Sequence, residues 1–115
     1  MSIAFIPTKV HGIIDYTVGS LLTSSPLFDK GSKETAILMG QGVVATAYSL
    51  FTNYEAGASR KIPMRTHLAL DVLSGILIAG APYLFNLKKK SQIPFLAIGL
   101  FEIATALLTK DEPEE

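Results

Sequence analysis

The chain contains no cysteine and little charge. Without cysteine it has no disulfide framework, no thiolate metal site and no thiol nucleophile. Charged residues make up 17 % of the 115 residues, against about 25 % in soluble domains. The formal net charge is zero, so we expect no nucleic-acid partner. Zinc-finger, P-loop and GxGxxG patterns are also absent, which leaves no familiar cofactor motif.

The few charges lie in clusters that separate four apolar stretches. The clusters are found around residues 29–34, 55–65, 88–90 and 110–115. The apolar stretches cover about 7–27, 34–51, 63–82 and 92–109. None shows the strict alternation of a half-buried strand, and we therefore predict four helices.

Prolines mark the ends of the first and third stretches. Pro7 and Pro63 suit the first turn of a helix, where a missing N–H costs nothing. Pro26 and Pro82 fall near the other ends. They are predicted either to end these two helices or to kink longer ones.

The length of the stretches and the position of the charges favour a membrane protein. A span needs about 17–25 mostly apolar residues. A soluble four-helix bundle would show a charged face on every helix, and none is visible. We predict an all-α, four-helix transmembrane bundle, a single membrane domain over 1–115 with the lipid bilayer as its surroundings. We predict that both termini are cytoplasmic. Lys and Arg are equally numerous on the two sides of the membrane, so the positive-inside rule does not decide the orientation.

An internal duplication relates the two halves of the chain. Segments 6–28 and 62–84 align without a gap, with identities at Ile6/Ile62, Pro7/Pro63, His11/His67, Asp15/Asp71, Gly19/Gly75, Leu21/Leu77 and Pro26/Pro82. The second halves match more weakly at an offset of 59, which pairs Gly40 with Gly99. We predict two tandem helical hairpins, repeat 1 over about 6–55 and repeat 2 over about 62–110. Parallel hairpins would be related by a pseudo-two-fold axis along the membrane normal.

The repeated pattern IP-x-K/R-x-H-x3-D-x3-G is followed by SSPLF at 24–28 and APYLF at 81–85. Together these resemble the SPW-repeat family, small integral membrane proteins of bacteria and archaea named for a Ser-Pro-Trp at the end of a repeated helix. The resemblance extends over nearly the whole chain and implies a multi-pass protein of such an inner membrane. It implies little about activity. Leu27 and Tyr83 stand where the motif has tryptophan.

Two His–Asp pairs form the first candidate site. His11 and Asp15, and again His67 and Asp71, are spaced i, i+4, so each pair lies on one helix face. If the faces meet, the four side chains are suited to a divalent metal, or the two histidines to a b-type haem. In the structural interpretation, which we prefer, each buried aspartate is paired with a histidine and there is no ligand. A third interpretation is that both pairs are interfacial and reached by water.

Small residues are predicted to mark the helix contacts. Gly19 and Gly75 lie one turn beyond the aspartates and would let two helix backbones approach closely. The same prediction applies to the small residues of the second and fourth helices, namely Gly40, Gly42, Ala45, Thr46, Ser49, Gly99 and Ala104.

Glu102 is the second candidate site. It lies in the middle of the fourth apolar stretch, and an offset of 59 matches it with Val43. A carboxyl near the middle of a membrane is either a proton-relay or ligand group, or a protonated group bonded to a neighbour such as Thr105 or Ser74. Both interpretations stay open.

These observations predict a structural or accessory membrane module with no catalytic activity and no cofactor. The order of residues offers no Ser–His–Asp triad and no phosphate-binding loop. Such a module would act as a homo-oligomer or with a membrane partner protein. One alternative is a protein that binds haem or a metal through His11 and His67. The other is a small proton-linked transport unit that uses Asp15, Asp71 and Glu102.

Overall fold

The computed structural model describes residues 4–25 and 31–111. It contains four helices, which are α1 (Thr8–Thr23), α2 (Lys33–Leu50), α3 (Met64–Leu84) and α4 (Gln92–Leu108), with one 3₁₀ turn (Lys89–Ser91) before α4. The described residues contain isolated β-bridges but no strand. The predicted all-α fold with four helices is therefore confirmed.

Proline sets the start of α1 and α3. Pro7 and Pro63 occupy the N-cap positions, one residue before each helix begins. Their carbonyls accept the backbone N–H groups of His11 and His67, both at 3.0 Å. The two histidines therefore occupy the same place in the first turn of their helices, which is the local reason that they share a setting.

Of the two prolines near the helix ends, Pro82 is among the described residues. Pro82 lies near the end of α3, as the sequence suggested, but the helix continues past it to Leu84. A proline costs a helix the one hydrogen bond that its missing N–H would donate, and here only the last turn is affected. Pro26 lies outside the described residues.

The helices pack in two pairs, α1 on α2 and α3 on α4, and each pair is closest at two glycines. A Cβ atom on Gly42 would lie 2.8 Å from the carbonyl oxygen of Gly19, and one on Gly99 would lie 2.4 Å from that of Gly75. The predicted close approach of the backbones at these glycines is confirmed. Gly40 was predicted to share in this packing, but a Cβ there would meet nothing within 4 Å, so that prediction is wrong.

Polar contacts join the two pairs at both ends of the molecule. At one end Ile6 forms a parallel bridge with Thr109, and Thr52 forms another with Ile62. These bridges link the start of α1 to the end of α4, and the end of α2 to the start of α3. We call this end the loop end.

At the opposite end the contacts come from the start of α2. The Lys33 ammonium donates to the carbonyl of Phe85 at 3.1 Å. The Glu34 carboxylate accepts the backbone N–H of Lys88 at 3.0 Å. The segment between α3 and α4 is thereby held against α2.

Buried polar side chains accompany the hydrophobic core, which includes Met64, Ile78 and Phe95. The largest fully buried side chains all carry a polar atom, and they are Tyr54, His11, His67, Thr8, Thr52 and Ser49. Large hydrophobic side chains are exposed on every helix, among them Ile13, Val43, Leu73 and Leu100. Extensive apolar surface of this kind marks contact with lipid or with another protein.

Among residues 4–25 and 31–111, two helices are long and apolar enough to cross a membrane. They are Met64–Leu84 and the Lys89–Leu108 segment that contains α4. Only 33 % and 28 % of their apolar windows are buried inside the molecule, whereas a core helix of a soluble protein would be mostly buried. Helix α1 has 16 residues and does not reach this length.

Candidate functional site

The two predicted His–Asp pairs meet between α1 and α3, near the start of each helix. His11 and Asp15 come from α1, and His67 and Asp71 come from α3. One nitrogen or oxygen of each side chain lies within 4.8 Å of those of the other three. We call these four residues the His/Asp cluster. The i, i+4 spacing brings each pair to one face, and the facing of α1 and α3 brings the pairs together.

Each histidine contacts both aspartates. His11 Nε2 lies 3.0 Å from Asp15 Oδ1 and 2.8 Å from Asp71 Oδ2. His67 Nε2 lies 3.0 Å from Asp15 Oδ2 and 3.2 Å from Asp71 Oδ2. The contacts form a closed ring in which nitrogen and carboxylate alternate. Pairing therefore extends across the helices as well as within each of them.

The cluster is withdrawn from solvent. The side chains of His11 and His67 are 1 % and 0 % exposed, and those of Asp15 and Asp71 are 13 % and 12 % exposed. The interfacial interpretation, with water at both histidines, does not agree with this burial. Two carboxylates so enclosed require positive charge or strong hydrogen-bond donors beside them.

A threonine orients His11 from behind. Thr109 Oγ1 donates its proton to the carbonyl of Thr105 at 2.6 Å, so it accepts a proton from His11 Nδ1 at 2.8 Å. This assignment of the tautomer follows from the hydrogen-bond network. A proton on Nδ1 leaves Nε2 of the neutral ring as the atom that faces the aspartates.

His67 is oriented in the same manner. Thr52 Oγ1 donates to the carbonyl of Tyr48 at 2.7 Å and accepts from His67 Nδ1 at 2.7 Å. Support of one ring nitrogen by a neighbouring oxygen is the usual arrangement behind a metal-binding histidine.

Two tyrosines orient the aspartates. Tyr54 donates to Asp15 Oδ2 at 2.7 Å, and Tyr48 donates to Asp71 Oδ1. Burial and the nearby Asp15 carboxylate raise the pKa of the Tyr54 phenol, so it stays protonated and remains a donor. Each aspartate thus keeps an oxygen directed at the histidines while a tyrosine holds the carboxyl group in place.

The four supporting residues were not found from the sequence. Thr52 and Thr109 each follow the end of a helix. They are 57 positions apart, so the alignment at an offset of 59 did not pair them. No tyrosine occupies the positions of the other repeat that correspond to Tyr48 and Tyr54. Only the shared position of the two threonines would have been a usable signal.

One atom of the cluster lacks a hydrogen bond. His67 Nε2 is buried and has no partner, although two carboxylate oxygens lie within 3.2 Å. Its lone pair is therefore directed at neither oxygen. His67 Nε2 is thus held between Asp15 and Asp71 without a directed hydrogen bond to either of them.

The ring of contacts has the dimensions of a small metal site. Four ligands about 2.0–2.1 Å from a tetrahedral ion lie about 3.4 Å from one another. The four nitrogen-to-oxygen distances run from 2.8 to 3.2 Å and the ligand atoms all lie within 4.8 Å of one another, so the side chains would have to adjust to form a tetrahedron around an ion. Two imidazoles and two carboxylates suit Zn²⁺, Fe²⁺ or Mn²⁺, and their two negative charges neutralise a divalent ion.

A haem does not fit between the two histidines. Their ring centroids are 5.3 Å apart and the rings are nearly perpendicular, at 79°. Both Nε2 atoms contact the same oxygen of Asp71. Axial ligation of one iron from opposite faces would place a porphyrin where the carboxylates lie.

Glu102 lies outside the cluster but faces the same cavity. Its Oε1 accepts the Gln41 side-chain amide at 3.1 Å, rather than a group of Thr105 or Ser74, and its Oε2 is buried without a partner. A cavity of about 30 Å³ is lined by His11, Asp15 and Asp71 on the cluster side and by Glu102 on α4. We call it the inner cavity.

Known proteins offer no match from which the chemistry of this site could be transferred. No protein-family model, no curated protein and no solved structure matches the chain.

Proposed function

We propose that the chain is a small multi-pass membrane protein that binds one divalent transition-metal ion in the His/Asp cluster. The observation that carries the proposal is the buried set of four ligand atoms, one from each residue of the His/Asp cluster, that lie within 4.8 Å of one another. An ion at the centre of the ring would satisfy all four at once.

The structural interpretation explains less of the geometry. Without a metal, the two carboxylates are neutralised only if both imidazoles carry a second proton, on Nε2. An Nε2–H on His67 would then lack an acceptor in line with it. A metal ion does not require the nitrogen and oxygen to be aligned with each other. It lies between the ligands and accepts a lone pair from each of them.

The exposed hydrophobic side chains support the membrane part of the proposal. A lipid environment explains why hydrophobic side chains on all four helices face outward while histidine and threonine are buried. Helices α1 and α2, with 16 and 18 residues, are about 24 and 27 Å long at about 1.5 Å per residue. The hydrocarbon core is about 30 Å thick, so these two helices would lie in a locally thinned bilayer.

The same proposal includes two parallel hairpins related by a pseudo-two-fold axis. Its support is the exchange of partners between the halves, since His11 bonds Thr109 while His67 bonds Thr52. Each histidine thus receives its orienting threonine from the opposite repeat. Such exchange is expected of two copies packed about an axis.

The glycine contacts indicate how the second halves correspond. Gly42 approaches Gly19 as Gly99 approaches Gly75. Gly42 and Gly99 are 57 positions apart in the chain, as are Thr52 and Thr109. We therefore propose an offset of 57 in place of 59 for α2 and α4. The likeness to the SPW-repeat family stays a prediction from the sequence.

Membrane fractionation tests the first part of the proposal. We expect the protein to stay with the membrane pellet after a wash in alkaline carbonate and to enter the supernatant only with detergent, because its outward faces are apolar. The measurement is an immunoblot of both fractions. Release of most of the protein by carbonate alone would contradict an integral location.

Metal titration tests the second part. We expect the chelator-treated protein in detergent to bind one Co²⁺ per chain, with visible absorption of tetrahedral type that Zn²⁺ removes. Bound Zn²⁺ should also raise the melting temperature, since it binds only the folded state. Binding no stronger than that of a double variant, His11→Ala with His67→Ala, would refute the metal site.

A further inference from the structure

We propose that the metal ion reaches the His/Asp cluster through the inner cavity and is first bound there by Glu102. This inference rests on the proposed function and concerns the route by which the site exchanges its ion. It implies a cation that is exchanged, as in transport or sensing, rather than one enclosed for the life of the protein. The argument depends on what covers the cluster on each side.

The cluster is covered on the side of the loop end. Thr8, Thr52 and Tyr54 are each 0 % exposed, and Thr109 is 3 % exposed. Their side chains are engaged in hydrogen bonds, to the two histidines, to Asp15 and to Glu55. An ion arriving from this side would have to break several of these bonds together.

The inner cavity adjoins the cluster on another side, where it touches His11, Asp15 and Asp71. At about 30 Å³, it exceeds the roughly 10–15 Å³ that one water needs. A water molecule or a bare ion fits there without a rearrangement of the backbone.

The walls of the cavity are otherwise apolar. They are formed by Ile14, Val18, Leu22, Ala45 and Phe101, with Gly19 and Thr105 completing the lining. A divalent ion would not leave water for such walls without a negative partner. Glu102 is the carboxyl on the α4 side that is able to supply one.

The bonding of Glu102 leaves it ready for this role. Gln41 donates to Oε1 at 3.1 Å, which holds the carboxyl group in place. Oε2 is buried without a partner, although it lies on a residue that lines the cavity. A carboxylate oxygen is a ligand that every metal of the proposed class accepts. Glu102 therefore provides a first station, from which the ion passes to the nitrogen and oxygen ligands of the cluster.

The rate of metal binding tests the inference. We expect Glu102→Gln to slow Co²⁺ association, followed by stopped-flow absorption in detergent, by about tenfold or more. Dissociation into excess chelator should slow by a similar factor, because a station on the route affects both directions. The equilibrium Kd and the Co²⁺ spectrum should stay within about twofold of the unaltered protein, since the four ligands of the cluster are unchanged.

Glu55→Gln is the matched control. Glu55 accepts a hydrogen bond from Thr8 at 2.6 Å, on the loop-end side of the cluster, so the same substitution there should leave the association rate unchanged. A fall in rate with Glu55→Gln but not with Glu102→Gln would overturn the proposed route. An effect of Glu102→Gln on the dissociation rate and Kd alone would overturn it too, since that result indicates general electrostatics.

A second variant tests the cavity without altering any charge. Ala45→Leu adds a larger apolar side chain to the cavity wall, and we expect it to slow association as Glu102→Gln does. Unaltered rates in both variants, with normal Co²⁺ binding by the unaltered protein, would refute the route but leave the metal site standing. Absence of Co²⁺ binding in the unaltered protein would refute the proposed function itself.

Discussion

Replacement of His67 by alanine is expected to weaken Zn²⁺ or Co²⁺ binding by more than about a hundredfold. Loss of a residue that only supports a ligand costs about 10–100-fold, and His67 supplies a ligand nitrogen itself. Its ring is fully buried, and alanine supplies no ligand atom in its place. The measurement is a competition titration against a chelator of known affinity, with the Co²⁺ spectrum as a second readout.

Two threonine variants test whether Thr52 supports His67 as a metal ligand. Thr52→Val removes the oxygen that accepts from His67 Nδ1 and should weaken metal binding by about 10–100-fold. Thr17 makes the same kind of bond to a carbonyl four residues earlier, that of Ile13, at 2.7 Å on an exposed face. Thr17→Val should therefore have no effect on affinity. Equal affinities for the two threonine variants would contradict the role given to Thr52.

Substitution of Gly99 by alanine is expected to lower the free energy of unfolding by about 2–3 kcal/mol, the upper part of the usual range for overpacking. The added Cβ would lie 2.4 Å from the carbonyl oxygen of Gly75 and 2.8 Å from the backbone nitrogen of Ala79. Both neighbours are backbone atoms, so neither can turn away as a side chain would. Helices α3 and α4 would have to separate.

Gly40→Ala is the matched control because a Cβ there meets nothing within 4 Å. It should be neutral or should stabilise the protein by up to about 1 kcal/mol, since alanine favours a helix over glycine. Gly42→Ala should resemble Gly99→Ala, as its Cβ would lie 2.6 Å from the backbone nitrogen of Thr23. Thermal or SDS unfolding in one detergent compares all three. Equal stability of Gly99→Ala and Gly40→Ala would show that the helices are not packed through these glycines.

Much of the fold and half of the site follow from local sequence. Proline before a helix, an apolar stretch of helical length and an i, i+4 spacing are properties of neighbouring residues. They are sufficient to place four helices and to put His11 beside Asp15 and His67 beside Asp71. Whether the two faces meet depends on the rotation of α1 against α3, and no local pattern contains that information.

The correspondence of α2 with α4 illustrates a different limit. The sequence alignment at an offset of 59 was decided by a short string, VATA against IATA. Such strings recur wherever small residues fill a helix, so they carry little positional information. The close contacts at Gly42 and Gly99 define where each helix crosses its partner. They indicate an offset of 57, at which Glu102 corresponds to Ala45, and both of these residues line the inner cavity.

The tyrosines show what a duplication cannot reveal. At the same offset, Tyr48 corresponds to Thr105 and Tyr54 to Asp111. Both phenols nevertheless donate to the aspartates of the cluster. The two halves of the site therefore receive different support, and a search for repeated residues passes over the groups that distinguish them.

The bond between His11 and Thr109 has a consequence for how the protein is made. It joins residues 98 positions apart, whereas the bond between His67 and Thr52 joins residues 15 apart. On the ribosome, all four residues of the cluster have emerged once α3 is complete, and so has Thr52, which orients His67. His11 must wait for Thr109, directly after α4. The order of synthesis thus separates a stage with every ligand present from a later stage, after Thr109 has emerged, in which both histidines are held.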